Sequence, residues 1–244
     1  TNKELQRIDP VPYDWIFSGG RTSRALGRKE GSKVGVQIKE DTMAEIVGME
    51  WGKFLAEIPF WNDDYIAKNP KVRPLEIEIQ ARANEYGCLS RDSIFEIMDW
   101  GGNPHNIGGQ MRRNNTEDHV RRVTAEVMGV LAEPDTALDK ITYIKWLGDS
   151  FGSKVLAFLS PKTCGIWDSV VKQALEHTSN PPMTYGGFVS LLRQTTGCIS
   201  LTPHPRRLDA SWFVRDVEQA LFQFAWPKSR GGNGGSITGT LPSH

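Results

Sequence analysis

The chain has 244 residues, 39% hydrophobic and 24% charged, with 29 Lys/Arg against 29 Asp/Glu. That is an ordinary balance for a soluble globular protein, with enough chain for one sizeable core or two small lobes sharing a cleft. Three widely separated cysteines (Cys88, Cys164 and Cys198) and five scattered histidines argue against a disulfide framework and a four-cysteine cluster, and they show no zinc-site spacing, so neither metal nor cofactor is expected.

In chain order, Lys33–Lys39 is the best strand candidate, and it is short. Elsewhere the apolar spacing predicts helices, making the fold class mostly α. The first expected helix is Asp41–Glu57, capped by Asp41 or Thr42, with Met43, Ile46, Val47 and Phe54 at helical spacing. Lys71–Tyr86 follows, ended by Gly87, then Ser90–Trp100, opened by a Ser cap and closed by Gly101-Gly102. Residues 101–115 form a polar loop or broken helix. A strong helix over Thr116–Ala132 carries Val120, Val123, Val127 and Leu131 on one stripe. Asp135–Leu147, Ser153–Leu159, Ser169–His177, Thr184–Thr195 and Ala210–Ala225 complete the helices. Residues 1–90 are expected as a helical or irregular region contributing to one lobe, 91–228 as the core with its C-terminal helix, and 229–244 as a disordered Gly/Ser-rich tail. No apolar run reaches the roughly 20 residues that cross a bilayer, and Thr1–Pro10 has no apolar leader. A cytoplasmic location is the expectation.

The informative segment runs from Leu147 to Leu159. A helix with Ile141, Ile144 and Leu147 on its apolar side ends at Gly148, a tight turn containing Gly152 is expected, and a second helix starts at once. Amides at the start of that second helix have no partners inside it, and with the helix dipole behind them they suit a phosphate without reading base sequence. Plain helix packing accounts for such a hairpin about equally well. The charge distribution leans the same way, with 12 Lys/Arg against 9 Asp/Glu over residues 101–207.

The residues that follow carry a resemblance. Gly152-Ser153-Lys154, then Ile166-Trp167-Asp168-Ser169-Val170, resemble the helix-hairpin-helix DNA glycosylase superfamily, in particular proteins with the 8-oxoguanine DNA glycosylase fold. There a hairpin ends in Gly-x-Lys and a short apolar stretch leads to an Asp that opens the next helix. The likeness spans about residues 90–225. It includes Trp100, the helix start at Asn115 and the run Arg215–Phe222. The chain departs from the pattern in having Ser150-Phe151-Gly152 where many members carry two glycines, and in a shorter lysine-to-aspartate interval.

The resemblance implies a two-lobed helical fold with a cleft, and a DNA glycosylase that flips out and excises a damaged or modified base. Lys154 and Asp168 would be its catalytic pair. A carboxylate near the sugar offsets the positive charge that develops there, and a neutral lysine can attack C1′, giving a Schiff base and strand cleavage by β-elimination. Ordinary roles compete: Asp168 as a helix cap and Lys154 as a phosphate contact. Candidate DNA contacts are Ser150, Phe151, Gly152, Ser153, Asn103, His105, Asn106, Arg112 and Arg113. Trp167, Trp212 and Phe213 are the candidate base pocket, Phe222 reads as core, and Gly19 and Gly20 could let backbone approach a flipped base. The expected partner is double-stranded DNA with one extrahelical modified base, met by a monomer away from membranes. Two alternatives stand beside repair. One is a phage-defence glycosylase excising hypermodified cytosines, such as glucosylated ones, with Trp15, Trp51 and Trp61 widening the pocket. The other is a non-catalytic helix-hairpin-helix DNA-binding module.

Overall fold

The computed structural model describes residues 45–46, 49–102, 104–175 and 182–230, all within a unit that begins at Lys39. The expected strand at 33–39, Gly19, Gly20, Trp15, Asn103 and the tail beyond 230 lie outside these residues. The fold is mostly α. A two-rung antiparallel hairpin, β1 (Glu45–Ile46) and β2 (Met49–Glu50), precedes the helices. The expected helix over Asp41–Glu57 is therefore corrected. Glu45–Ile46 and Met49–Glu50 are strands, and α1 spans Trp51–Lys68, with Pro59 inside it.

The next two helices follow the sequence reading closely, and a third lies where a polar loop or broken helix was expected. They are α2 (Val72–Tyr86), ended by left-handed Gly87; α3 (Arg91–Trp100), capped by Ser90 accepting from the Ser93 amide; and, after a 3-10 turn at Pro104–Asn106, the short α4 (Ile107–Asn114). Next comes α5 (Glu117–Met128), capped by Thr116. Helix α6 (Pro134–Ile141) stops six residues earlier than expected, and α7 (Asp149–Leu159) starts four residues earlier. Then come α8 (Ser169–Leu175), α9 (Tyr185–Ile199), capped by Thr184, and α10 (Val214–Arg230). Among the described residues no helix is long and apolar enough to cross a membrane.

Helix α10 runs along α1 and also touches α8 and α9. Phe224 fits between Phe54 and Trp61, with ring centroids 5.3 and 5.5 Å away. Asn62 donates to the Asp216 carbonyl at 3.0 Å and to Gln219 Oε1 at 3.1 Å, so the buried part of this seam is hydrogen-bonded as well as apolar. The start of α10 is fixed by Asp216, which is fully buried. Arg207 donates to its carboxylate at 2.7 and 2.9 Å, the Phe213 amide at 2.9 Å, and Arg73 from α2 completes the cluster. Burial opposes ionisation of Asp216, but the hydrogen bonds and charges of Arg207 and Arg73 outweigh it and hold the carboxyl below its usual range.

The hairpin between α6 and α7 is built differently from the sequence reading. Its turn occupies residues 142–148, tightened by successive bonds of Tyr143, Ile144 and Leu147 amides to carbonyls three residues back. The left-handed position is taken by Trp146 (φ 75°), whose ring is exposed. Asn115 holds the turn from outside: its side chain donates to the Lys145 carbonyl at 3.0 Å and accepts from the Lys145 amide at 2.9 Å. Gly152 is no part of the turn. It lies inside α7, where a Cβ would sit 2.9 Å from Ile141 Cγ2 and 3.2 Å from Leu138 Cδ1. Close approach of α6 and α7 therefore requires glycine at this position.

Candidate active site

Five segments meet around a cavity of about 330 Å³, at the small end of the roughly 300–1,000 Å³ in which small-molecule sites fall. Helix α7 supplies Ser150, Phe151 and Lys154, and the segment entering α8 supplies Ile166 and Asp168. The ends of α1 and α3 bring Tyr65, Asn69, Trp100 and Gly101. Helix α10 presents Glu218, Phe222 and Trp226 on one face. The sequence-predicted pair, Lys154 and Asp168, thus borders one space.

Lys154 is 8% exposed. Its Nζ donates to Ser150 Oγ at 3.1 Å and lies 5.0 Å from the Phe151 ring centroid. Gly101 comes close alongside: a Cβ there would lie 3.1 Å from Lys154 Cδ and 3.2 Å from its Cε. Burial pushes the Lys154 amine below the usual lysine range; Asp168 opposes that shift and the Arg215 cation adds to it. A larger neutral fraction is what a nucleophilic amine needs.

Asp168 fills both roles open to it in the sequence. Its Oδ1 accepts from the Val170 and Val171 amides, each at 3.0 Å, which caps α8. The same half-buried carboxylate faces the cavity. Its segment is tied to α7 by Ser153, whose fully buried hydroxyl donates to the Ser150 carbonyl and accepts from the Trp167 amide at 2.9 Å. Ser153 adjoins Lys154 and Trp167 adjoins Asp168, so this one bond sets the spacing of the pair.

Behind the cavity lies a buried ion pair, Arg215 Nη1 with Glu218 Oε2. The guanidinium also donates to the Tyr65 hydroxyl at 3.3 Å and sits 5.7 Å from the Trp100 ring. The aromatic lining is continuous on the α10 side, with Phe222 and Trp226 stacked at 5.1 Å and Tyr65 edge-on to Phe222 at 6.0 Å.

Several expected site residues sit elsewhere. Trp167 packs on Phe188 at 4.6 Å and faces a second hollow, beneath Lys172. Trp212 donates to the Thr202 carbonyl and packs against His204 at 4.4 Å. Phe213 lies under the Arg207 guanidinium at 3.5 Å. None of the three is among the residues lining the cavity of Lys154 and Asp168, which corrects the expected base pocket. Ser153 and Gly152 are buried inside α7, whereas Ser150 and Phe151 border the cavity.

His105 (φ 54°) and Asn106 (φ 57°) are exposed in consecutive left-handed conformations. Arg112 pairs with Asp92 at 2.8 Å and covers the Phe95 ring at 3.6 Å, while Arg113 is exposed. Helix α7 opens at exposed Gly148 with no side-chain cap, but Asp149 puts a carboxylate in that first turn, 3.7 Å from Lys172.

The sequence reading missed Tyr65, Asn69, Glu218 and Trp226, and assigned Phe222 to the core. One signal was available: Glu218, Phe222 and Trp226 recur at intervals of four, a polar-aromatic stripe on a single helix face. Compared with protein-family models, curated proteins and solved structures, the chain matches none.

Proposed function

We infer that the chain is a DNA glycosylase that excises a flipped-out modified base, with Lys154 as nucleophile and Asp168 assisting. The observation that carries this reading is the sharing of one aromatic-lined cavity by a buried lysine of lowered basicity and a helix-capping carboxylate. A nucleobase needs rings to stack on once it leaves the duplex, and Trp100, Phe222 and Trp226 supply apolar faces. The neutral Lys154 amine attacks C1′. The new N–C1′ bond forms as the glycosidic bond breaks, and the electron pair of that bond leaves on the base. Asp168 offsets the positive charge on the sugar and takes the proton released by the attacking amine. Opening of the sugar ring then gives a Schiff base, from which β-elimination cuts the strand.

The resemblance supports the reading from the side of sequence, and a two-lobed helix-hairpin-helix architecture is part of it. The test is excision from duplexes bearing 8-oxoguanine or glucosylated cytosine, with borohydride present to trap the imine. A DNA adduct that disappears in Lys154→Ala supports the enzyme, and the better substrate separates repair from phage defence. Unchanged binding with no adduct on any substrate would make the chain a DNA-binding module.

A further inference from the structure

We propose, on the reading that this cavity receives an extrahelical base, that Glu218 makes it selective for bases carrying an exocyclic amino group over their carbonyl counterparts. Glu218 borders the cavity from α10, with its side chain 2% exposed. An ionised carboxylate only accepts hydrogen bonds. Arg215, three residues earlier on the same helix and itself buried, forms an ion pair with it.

Two neighbouring polar groups already have partners of their own. Asn69 spends an amide N–H on the Tyr65 carbonyl at 2.9 Å, and the Lys154 amine is directed to Ser150. The Tyr65 hydroxyl accepts from Arg215, and its own proton is the one donor it adds. A base entering between Tyr65, Trp100 and Phe222 therefore meets a buried acceptor, and an amino group can satisfy it. A carbonyl at the same ring position would set lone pair against carboxylate, leaving the acceptor unmade. Carboxylates read the cytosine amino group in DNA grooves by the same complementarity.

The experiment uses the full chain carrying Lys154→Gln, so that binding is read without turnover. Affinities are measured for two matched pairs of duplexes: 5-hydroxymethylcytosine against 5-hydroxymethyluracil, and 8-oxoadenine against 8-oxohypoxanthine. Within each pair the lesions differ at the amino position. The amino member is expected to bind about 10- to 100-fold tighter, and adding Glu218→Gln should reduce that ratio below about 3-fold. Should E218Q lose its fold, as read by helical circular dichroism, Glu218→Asp keeps the charge but withdraws it by one methylene, and the ratio must still fall. Equal affinities within both pairs in the E218-containing chain overturn the proposal, as does a ratio that survives in either folded variant. Borohydride trapping of the unsubstituted chain on an abasic duplex, which holds no base, tests the underlying reading separately. Trapping without amino selectivity sinks the proposal alone, and absence of trapping sinks both.

Discussion

Gly101→Ala perturbs the lysine without touching any polar group. Gly101 has φ −73°, a value alanine adopts freely, so the backbone is no obstacle. The obstacle is space: the new methyl would lie 3.1 and 3.2 Å from Lys154 Cδ and Cε and 3.2 Å from Phe151 Cε1. Carbon atoms rest at about 3.5–4.0 Å, so these neighbours must retreat by about 0.5 Å. Overpacking of this kind costs about 1–3 kcal/mol, and the stiffer unfolded chain returns about 0.4–1 kcal/mol. The net loss is about 1 kcal/mol, or a Tm lower by about 2–4 °C for a domain of this size. The amine lies beyond the displaced carbons and moves at least as far, and a misplacement of about 1 Å at a reacting centre costs about 100-fold. The Schiff-base trapping rate at an abasic site should therefore fall at least about 10-fold in a variant that melts only a few degrees early. An unchanged trapping rate in a folded Gly101→Ala protein would refute the reasoning, because the lysine's position would then not matter.

Three further outcomes follow from the same geometry. Asp168→Asn keeps the cap on α8, since Asn caps as well as Asp, but removes the anion that raises the Lys154 pKa; base excision should drop about 100-fold, while the pH midpoint of abasic-site trapping moves lower. A midpoint that moves higher contradicts the assignment. Ser153→Ala leaves the buried Trp167 amide without an acceptor, and urea titration should show a loss of about 1–3 kcal/mol; unchanged stability would dissociate Ser153 from the spacing of the pair. Asp216 has a folded pKa below its unfolded value, so it contributes stability above about pH 4 that is lost as pH falls towards the folded value. Asp216→Asn should therefore destabilise the protein at neutral pH and flatten the acid limb of its stability curve, whereas an acid limb unchanged from the parent would discount this cluster.

Much of the fold was legible because its signals are local. Gly87, Ser90, Thr116 and Thr184 mark helix ends through capping chemistry that depends on one or two residues. The hairpin was misplaced because its glycines suggested the turn, whereas the left-handed residue is Trp146 and the turn is held by Asn115, thirty positions from Lys145. Gly152 answers instead to Ile141 across a helix contact, which no spacing rule displays. Lys154 and Asp168 were found through the motif around them. Tyr65, Asn69 and Trp226 were not, because the cavity gathers side chains from the end of α1 and the far turns of α10, and only the packing of α1 along α10 brings them together. Trp212 and Phe213 show the converse: nearness in sequence to α10 does not place a ring on its cavity face.

The most direct measurement is peptide mapping, by mass spectrometry, of the protein reduced with borohydride on an abasic duplex. The modification should be found on Lys154 alone, as a deoxyribose remnant linked to Nζ. A remnant on another lysine, or on none while bases are still excised, would contradict the role given to Lys154.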